Sequence, residues 1–152
     1  MQTVTITIDK TELLKTVESL LWKYGAAIEG ADNYKQVFNT KSEHGTFAVD
    51  NRVLSDSFGT RSKQAIDIMR DFVHGNINYD ENGSPTVTLS MPERWNGRAA
   101  TLSAKLIKYV TDGMMADWLV VTVPAEAPMY STQLPQDETD IKVELYAKGT
   151  PQ

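Results

Sequence analysis

Cysteine is absent from the sequence, which removes disulfides, thiolate nucleophiles, iron–sulfur clusters and every zinc site that needs sulfur. Histidine is scarce. His44 and His74 stand far apart, and neither has a companion at a metal-ligand spacing such as i and i+4. His74, just before Gly75, reads as a helix C-terminal residue facing the last carbonyls, and His44 as part of a polar loop. Neither is expected to act in catalysis, and no metal or cofactor is expected.

Long apolar runs are missing too. The longest, Trp118-Leu119-Val120-Val121, falls far short of the roughly 20 residues needed to cross a bilayer, so no membrane partner is expected. Met1 to Ile8 has neither a basic lead nor an apolar run of signal-peptide length, so nothing in it directs secretion. There is no basic stripe: the 15 Lys and Arg are scattered and the net charge is −5, which repels phosphate backbones and argues against sequence-specific nucleic-acid binding.

Catalytic signatures are equally thin. No Ser lies in a G-x-S-x-G elbow and no Gly-rich loop is built to cradle phosphate, so an enzyme is not expected. Asp67 and Asp71 lie one helical turn apart, but Lys63 and Arg70 nearby make a solvated charged face the simpler reading. Asn78-Tyr79-Asp80-Glu81-Asn82-Gly83 imitates the first half of a calcium loop. Its twelfth position, which must supply a bidentate carboxylate, is Leu89, so a hairpin turn explains the same residues.

What is present is an ordinary globular balance, 41% hydrophobic and 23% charged over 152 residues. A chain of that size buries roughly 68–70% of its unfolded surface in one core. No repeat, low-complexity tract or linker divides it, so residues 1–152 are expected to form a single domain with N- and C-terminal contact segments.

Val4, Ile6 and Ile8 alternate with Thr3, Thr5 and Thr7, the pattern of a strand with one apolar and one hydroxyl face. Asp9 with Glu12 is a capping-box pattern that starts a helix carrying Leu13, Leu14, Val17, Leu20, Leu21 and Tyr24 on one face, with Gly25 as its stop. Residues 26–41 read as loop with at most one helical turn. Phe47, Val53, Leu54 and Phe58 predict a helical piece ending at Gly59, and Ile66, Met69, Phe72 and Val73 a second ending at Gly75; the two read equally as one interrupted helix. Ile77 and Tyr79, then Val87, Leu89 and Met91, predict a β-hairpin turning at Asn82-Gly83.

From Asn96 a long helix is expected, with Leu102, Leu106, Tyr109 and Gly113 on one stripe and Ile107, Val110, Met114 and Trp118 beside it, so it should be buried on more than one side. Residues 136–148 remain open between helix and strand. Ile141, Val143 and Leu145 alternate like a strand. Pro135, Asp137, Glu138 and Lys148-Gly149 are helix-end signals, and they tip the expectation to helix. The fold class is therefore α+β, a helix-rich domain with an N-terminal strand and a β-hairpin.

The last quarter of the chain carries Ala116-Asp117-Trp118-Leu119, Thr122, Ala125-Glu126-Ala127, Tyr130, Asp140-Ile141, Leu145-Tyr146, Lys148 and Pro151. This order resembles the ending of small virion proteins encoded by phages and prophages of Bacteroidetes-type hosts, which place a Trp, a helix with an Ala and a Tyr, and a terminal Leu-Tyr-basic-Pro run. Pro128 and Pro135 interrupt helix that would otherwise be continuous, and the closing basic cluster is reduced to Lys148.

The resemblance implies a structural protein of a tailed bacteriophage at the head–tail junction, as a connector, neck or tail-completion ring subunit, made in the host cytoplasm and located in the virion. Its partners would be copies of itself and neighbouring portal, connector or tail proteins. A small adaptor or regulatory domain is the alternative, with a small enzyme after it. Val4, Ile6, Ile8, Trp22, Trp95, Tyr130 and Tyr146 are the candidate interface residues: large aromatics dominate interface hot spots, Trp95 follows Pro92 in a loop that implies exposure, and terminal strands reach neighbours by strand addition.

Overall fold

A computed structural model describes residues 2–27, 51–122 and 124–147; the side chains at 22–27, 51–53, 121 and 122 fall outside it. The expected loop over residues 28–41, Phe47, His44 and the Lys148-Gly149 stop also lie outside the described residues. The elements form a helix-rich α+β fold with a small three-stranded antiparallel sheet.

Strand β1 (Gln2–Thr7) has the expected period, with Val4, Ile6 and Ile8 buried and Thr3, Thr5 and Thr7 exposed. It runs antiparallel to β3 (Pro85–Met91), pairing Val4 with Leu89 and Ile6 with Val87, so the two apolar sets share one face. The short β2 (Asn78–Tyr79) pairs with the other side of β3, giving the order β1-β3-β2. The turn between β2 and β3 is held by the Asp80 carboxylate, whose Oδ1 accepts from the Asn82 and Ser84 amides at 2.8 and 2.9 Å, and by Gly83 at φ +89°. The calcium-loop imitation is thus a turn whose leading carboxylate oxygen bonds the turn's own amides.

Helix α1 (Lys10–Ala27) starts as the capping pattern predicts: Asp9 Oδ1 accepts from the Glu12 amide at 3.2 Å. It does not stop at Gly25. A glycine inside a helix costs only about 1 kcal/mol relative to alanine, and Ala26 and Ala27 after it favour continuation. The same correction applies to α2 (Asn51–Ile68), which runs through Gly59 without a break. A 3-10 turn at Arg70–Phe72 follows, and Val73 is already extended, bridging Leu89 beside the sheet. The helix expected to reach Gly75 therefore ends earlier, and Gly75, at φ +77°, makes the bend towards β2.

Helix α3 (Ala99–Thr122) is the centre of the molecule and packs on β1, α1, α2 and the C-terminal helices. Every residue from Tyr109 to Ala116 is buried, as its broad apolar face predicts. After a 3-10 turn at Pro124–Glu126, the short α4 (Pro128–Ser131) leads into α5 (Leu134–Leu145). The open segment is helix: Ile141 and Leu145, four residues apart, are buried against α3, while Val143 between them faces solvent. Pro135 occupies the first turn, where its missing amide hydrogen leaves no bond unmade.

Candidate functional site

The outer edge of β1 is the feature best suited to contact another molecule. In an antiparallel pair, directly opposed residues alternate between bonded and non-bonded sites. The Ile8 amide donates to its opposite carbonyl at Pro85 (3.0 Å), so Ile6, Val4 and Gln2 also bond towards β3. The backbone N–H and C=O groups of Thr3, Thr5 and Thr7 consequently point away from the sheet. Among the described residues no strand pairs with that edge. Natural edges are commonly guarded by a charge, a proline or a bulge. Gln2–Thr7 contains none of these, and its register with β3 is unbroken.

The solvent face beside this edge is uncharged and hydroxyl-rich. Thr3, Thr5 and Thr7 stand opposite Ser90, Thr88 and Thr86, and the hydroxyl oxygens of Thr7 and Thr86 are 2.9 Å apart. Both faces follow from one sequence alternation. The apolar set fixes the sheet on α3, and the threonines are left outside because β-branched residues suit the pleat while their hydroxyls stay hydrated.

On the helical side, a groove of about 440 Å³ runs between α2, α3 and α5, lined among others by Asp67, Arg70, Asp71, Glu138, Lys142 and Tyr146. The two aspartates named from sequence are therefore on a charged wall of mixed sign. Tyr146 is 54% exposed and rests edge-on against Phe72, with ring centroids 5.2 Å apart. Tyr109, at the groove floor, has its phenol pKa raised, chiefly by burial, with Arg61 opposing and Glu138 adding to the rise.

Two polar clusters join the helices beneath this surface. Arg61 grips Asp117 with two bonds, Nε to Oδ2 at 3.0 Å and Nη2 to Oδ1 at 2.7 Å, and Ser57 donates to Oδ2 at 2.7 Å. The Arg61 stem lies over Gly113, where a Cβ would come within 2.5 Å of it, so any side chain there would have to displace the arginine. The bond to Asp117 raises the pKa of Arg61, against the opposing effect of burial.

The second cluster brings two buried carboxylates together, Asp112 of α3 and Asp137 of α5. Lys108 Nζ donates to both at 2.8 Å and to Gln133 Oε1 at 3.1 Å. Burial lowers the Lys108 pKa, but its bonds to the carboxylates outweigh that and leave it raised. Asp112 is pushed up to about 6, first by burial and next by the neighbouring Asp137, with Lys108 opposing. Asp137 Oδ2 is buried and has no hydrogen-bond partner.

Of the interface residues expected from sequence, Val4, Ile6 and Ile8 are buried in the chain's own core, so the strand offers its edge and its threonines in place of these side chains. Trp95 is corrected likewise. It is only 6% exposed, its indole N–H donates to the Glu144 carbonyl at 2.8 Å, and its ring lies across Gly97, where a Cβ would come within 2.5 Å of it. Tyr130 is partly buried against the core, with its pKa raised first by burial and then by Asp112. Tyr146 is exposed at the groove. Trp22 lies on α1, with its side chain outside the described residues. His74 is exposed, and its amide donates to the Thr88 carbonyl at 2.8 Å.

The buried polar clusters were not anticipated from sequence. The one available signal was Asp112 within the apolar run of α3, four residues after Lys108; nothing local indicates that Asp137 completes the cluster from another helix. No helix among the described residues is long and apolar enough to cross a membrane. No family model, curated protein or solved structure matches this chain.

Proposed function

We propose that this chain is a structural subunit that works through contacts with other protein chains, and that its assembly is the head–tail junction of a tailed bacteriophage, where it serves as a connector, neck or tail-completion ring subunit. The observation that carries the contact-based reading is the outer edge of β1, which offers three residues' worth of outward N–H and C=O groups with no guarding charge, proline or bulge. A strand from a neighbour can add there, main-chain bonds supplying affinity and the alternating side chains supplying register. When each copy donates to the next, the contact is heterologous and closes into a ring if the rotation permits. The location in a virion rests on the resemblance across Ala116 to Pro151.

The mixed-charge groove favours a second reading, a monomeric adaptor that receives a polar segment of a partner. The mass of the purified chain, alone and mixed with portal, connector and tail proteins, separates the two, together with a search for the chain in purified particles. Rings or incorporation into particles are expected. A chain that stays monomeric at high concentration and never enters particles overturns the structural reading.

A further inference from the structure

We propose that Asp112 and Asp137 share one proton, and that this carboxyl–carboxylate pair, with Lys108 across it, is a pH-sensitive latch holding α5 on α3. Both side chains are more than nine-tenths buried, they come from two different helices, and each lies 2.8 Å from the same ammonium.

Charge counting decides the protonation. One lysine neutralises one carboxylate, and two buried anions side by side cannot both stay ionised without a further positive charge. Arg61 does not supply it, being bound to Asp117 and Gln64. Among the described residues, the other groups near the pair are Gln133, Tyr130 and Tyr109, all neutral; Glu138, which acts on Tyr109, brings no positive charge. A proton on one carboxyl leaves a single anion against Lys108.

A proton held between the two carboxyls also bears on a second anomaly. Asp137 Oδ2 is buried without a donor, and a buried unsatisfied oxygen is expensive. Asp112 lies within hydrogen-bond reach of Asp137 and, once protonated, is a donor. The raised value for Asp112, about 6, fits this arrangement. A carboxyl whose folded value is raised contributes stability that is complete below the unfolded value of 3.8 and is lost as pH rises through about 6. The latch is therefore tightest in acid, loosens between about pH 4 and 6, and is slack by neutrality.

Side-chain carboxyl NMR of the full chain between pH 4 and 8 tests the pair directly. A midpoint near 6 at Asp112 is expected; ordinary carboxylate titration near 4 there overturns the proposal. Thermal unfolding of Asp112→Asn gives a second reading, because its amide donates permanently in the proton's place. The unfolding midpoint of the unaltered chain should fall from pH 5 to 7.5, and in the variant that fall should largely disappear. A variant with the full original slope overturns the latch, and if it fails to fold the titration of the unaltered chain decides.

Discussion

On the sheet side of α3, β1 and β3 meet the helix through Val4, Ile6, Val87 and Leu89, with polar groups confined to the outer face. On the opposite side, α2 and α5 meet it through ion pairs as well as Ile141 and Leu145. Apolar contact is non-directional and tolerates modest rearrangement of shape; a buried charge needs its partner at one distance and one angle. The sheet side should therefore respond to volume and polarity, and the helical side to geometry and to pH.

Ile6→Lys tests the sheet side most severely. It places an ammonium where the native side chain is 3% exposed and faces apolar neighbours, so loss of the folded state is expected, read by circular dichroism and denaturant titration. A folded variant of normal stability would refute the buried face of β1. On the helical side, Lys108→Met leaves Asp112 and Asp137 without their cation. A loss of ~2–4 kcal/mol is expected at pH 8, shrinking at pH 5 where the pair holds a proton; equal losses at both pH values would show that the helical side does not respond to pH.

Gly113→Ala is milder. The added methyl must displace the Arg61 stem, and ~1–3 kcal/mol of destabilisation is expected, with Asp117 left less well bound. The smallest effect on folding is predicted for Thr5→Lys. Its side chain points to solvent, so stability should change by no more than ~0.5 kcal/mol. An added lysine on an edge strand nevertheless discourages strand addition, so association measured by sedimentation should fall. Association unchanged by this substitution would move the contact away from β1.

The two sides also differ in how much of them can be read from sequence. The sheet side follows from local pattern: the Val4–Ile8 alternation, the Asp9 cap and the Asn82-Gly83 turn each act within a few residues, and all appear in the fold. For α5, end signals around Pro135 and Asp137 outweighed a three-residue alternation, and Ile141 and Leu145 prove to be one helical stripe. Gly25 and Gly59 misled because glycine lowers helix propensity without forbidding the conformation.

The interface was legible only as an element. Alternation located β1, but the same apolar residues taken as contacts are consumed by the core, and it is the intervening threonines that face outward. Trp95 misled for a related reason: a loop position implies exposure until a distant helix, here α5 through Glu144, covers it. The Lys108–Asp137 and Arg61–Asp117 pairs depend on how helices cross, which no local spacing encodes.

The segment between β3 and α3 also joins remote parts of the chain. The Gln2 side-chain amide donates to the carbonyls of Glu93 and Trp95 at 3.0 and 2.8 Å, and the Asn96 amide donates to the Ala147 carbonyl at 3.1 Å. Residues 2 and 147 are thus fastened to neighbouring links of one strap. A pull applied to either would be borne first by that strap and shared with the other before the interior is sheared. A binding partner that seizes β1 would in this way also tug on the far end of α5.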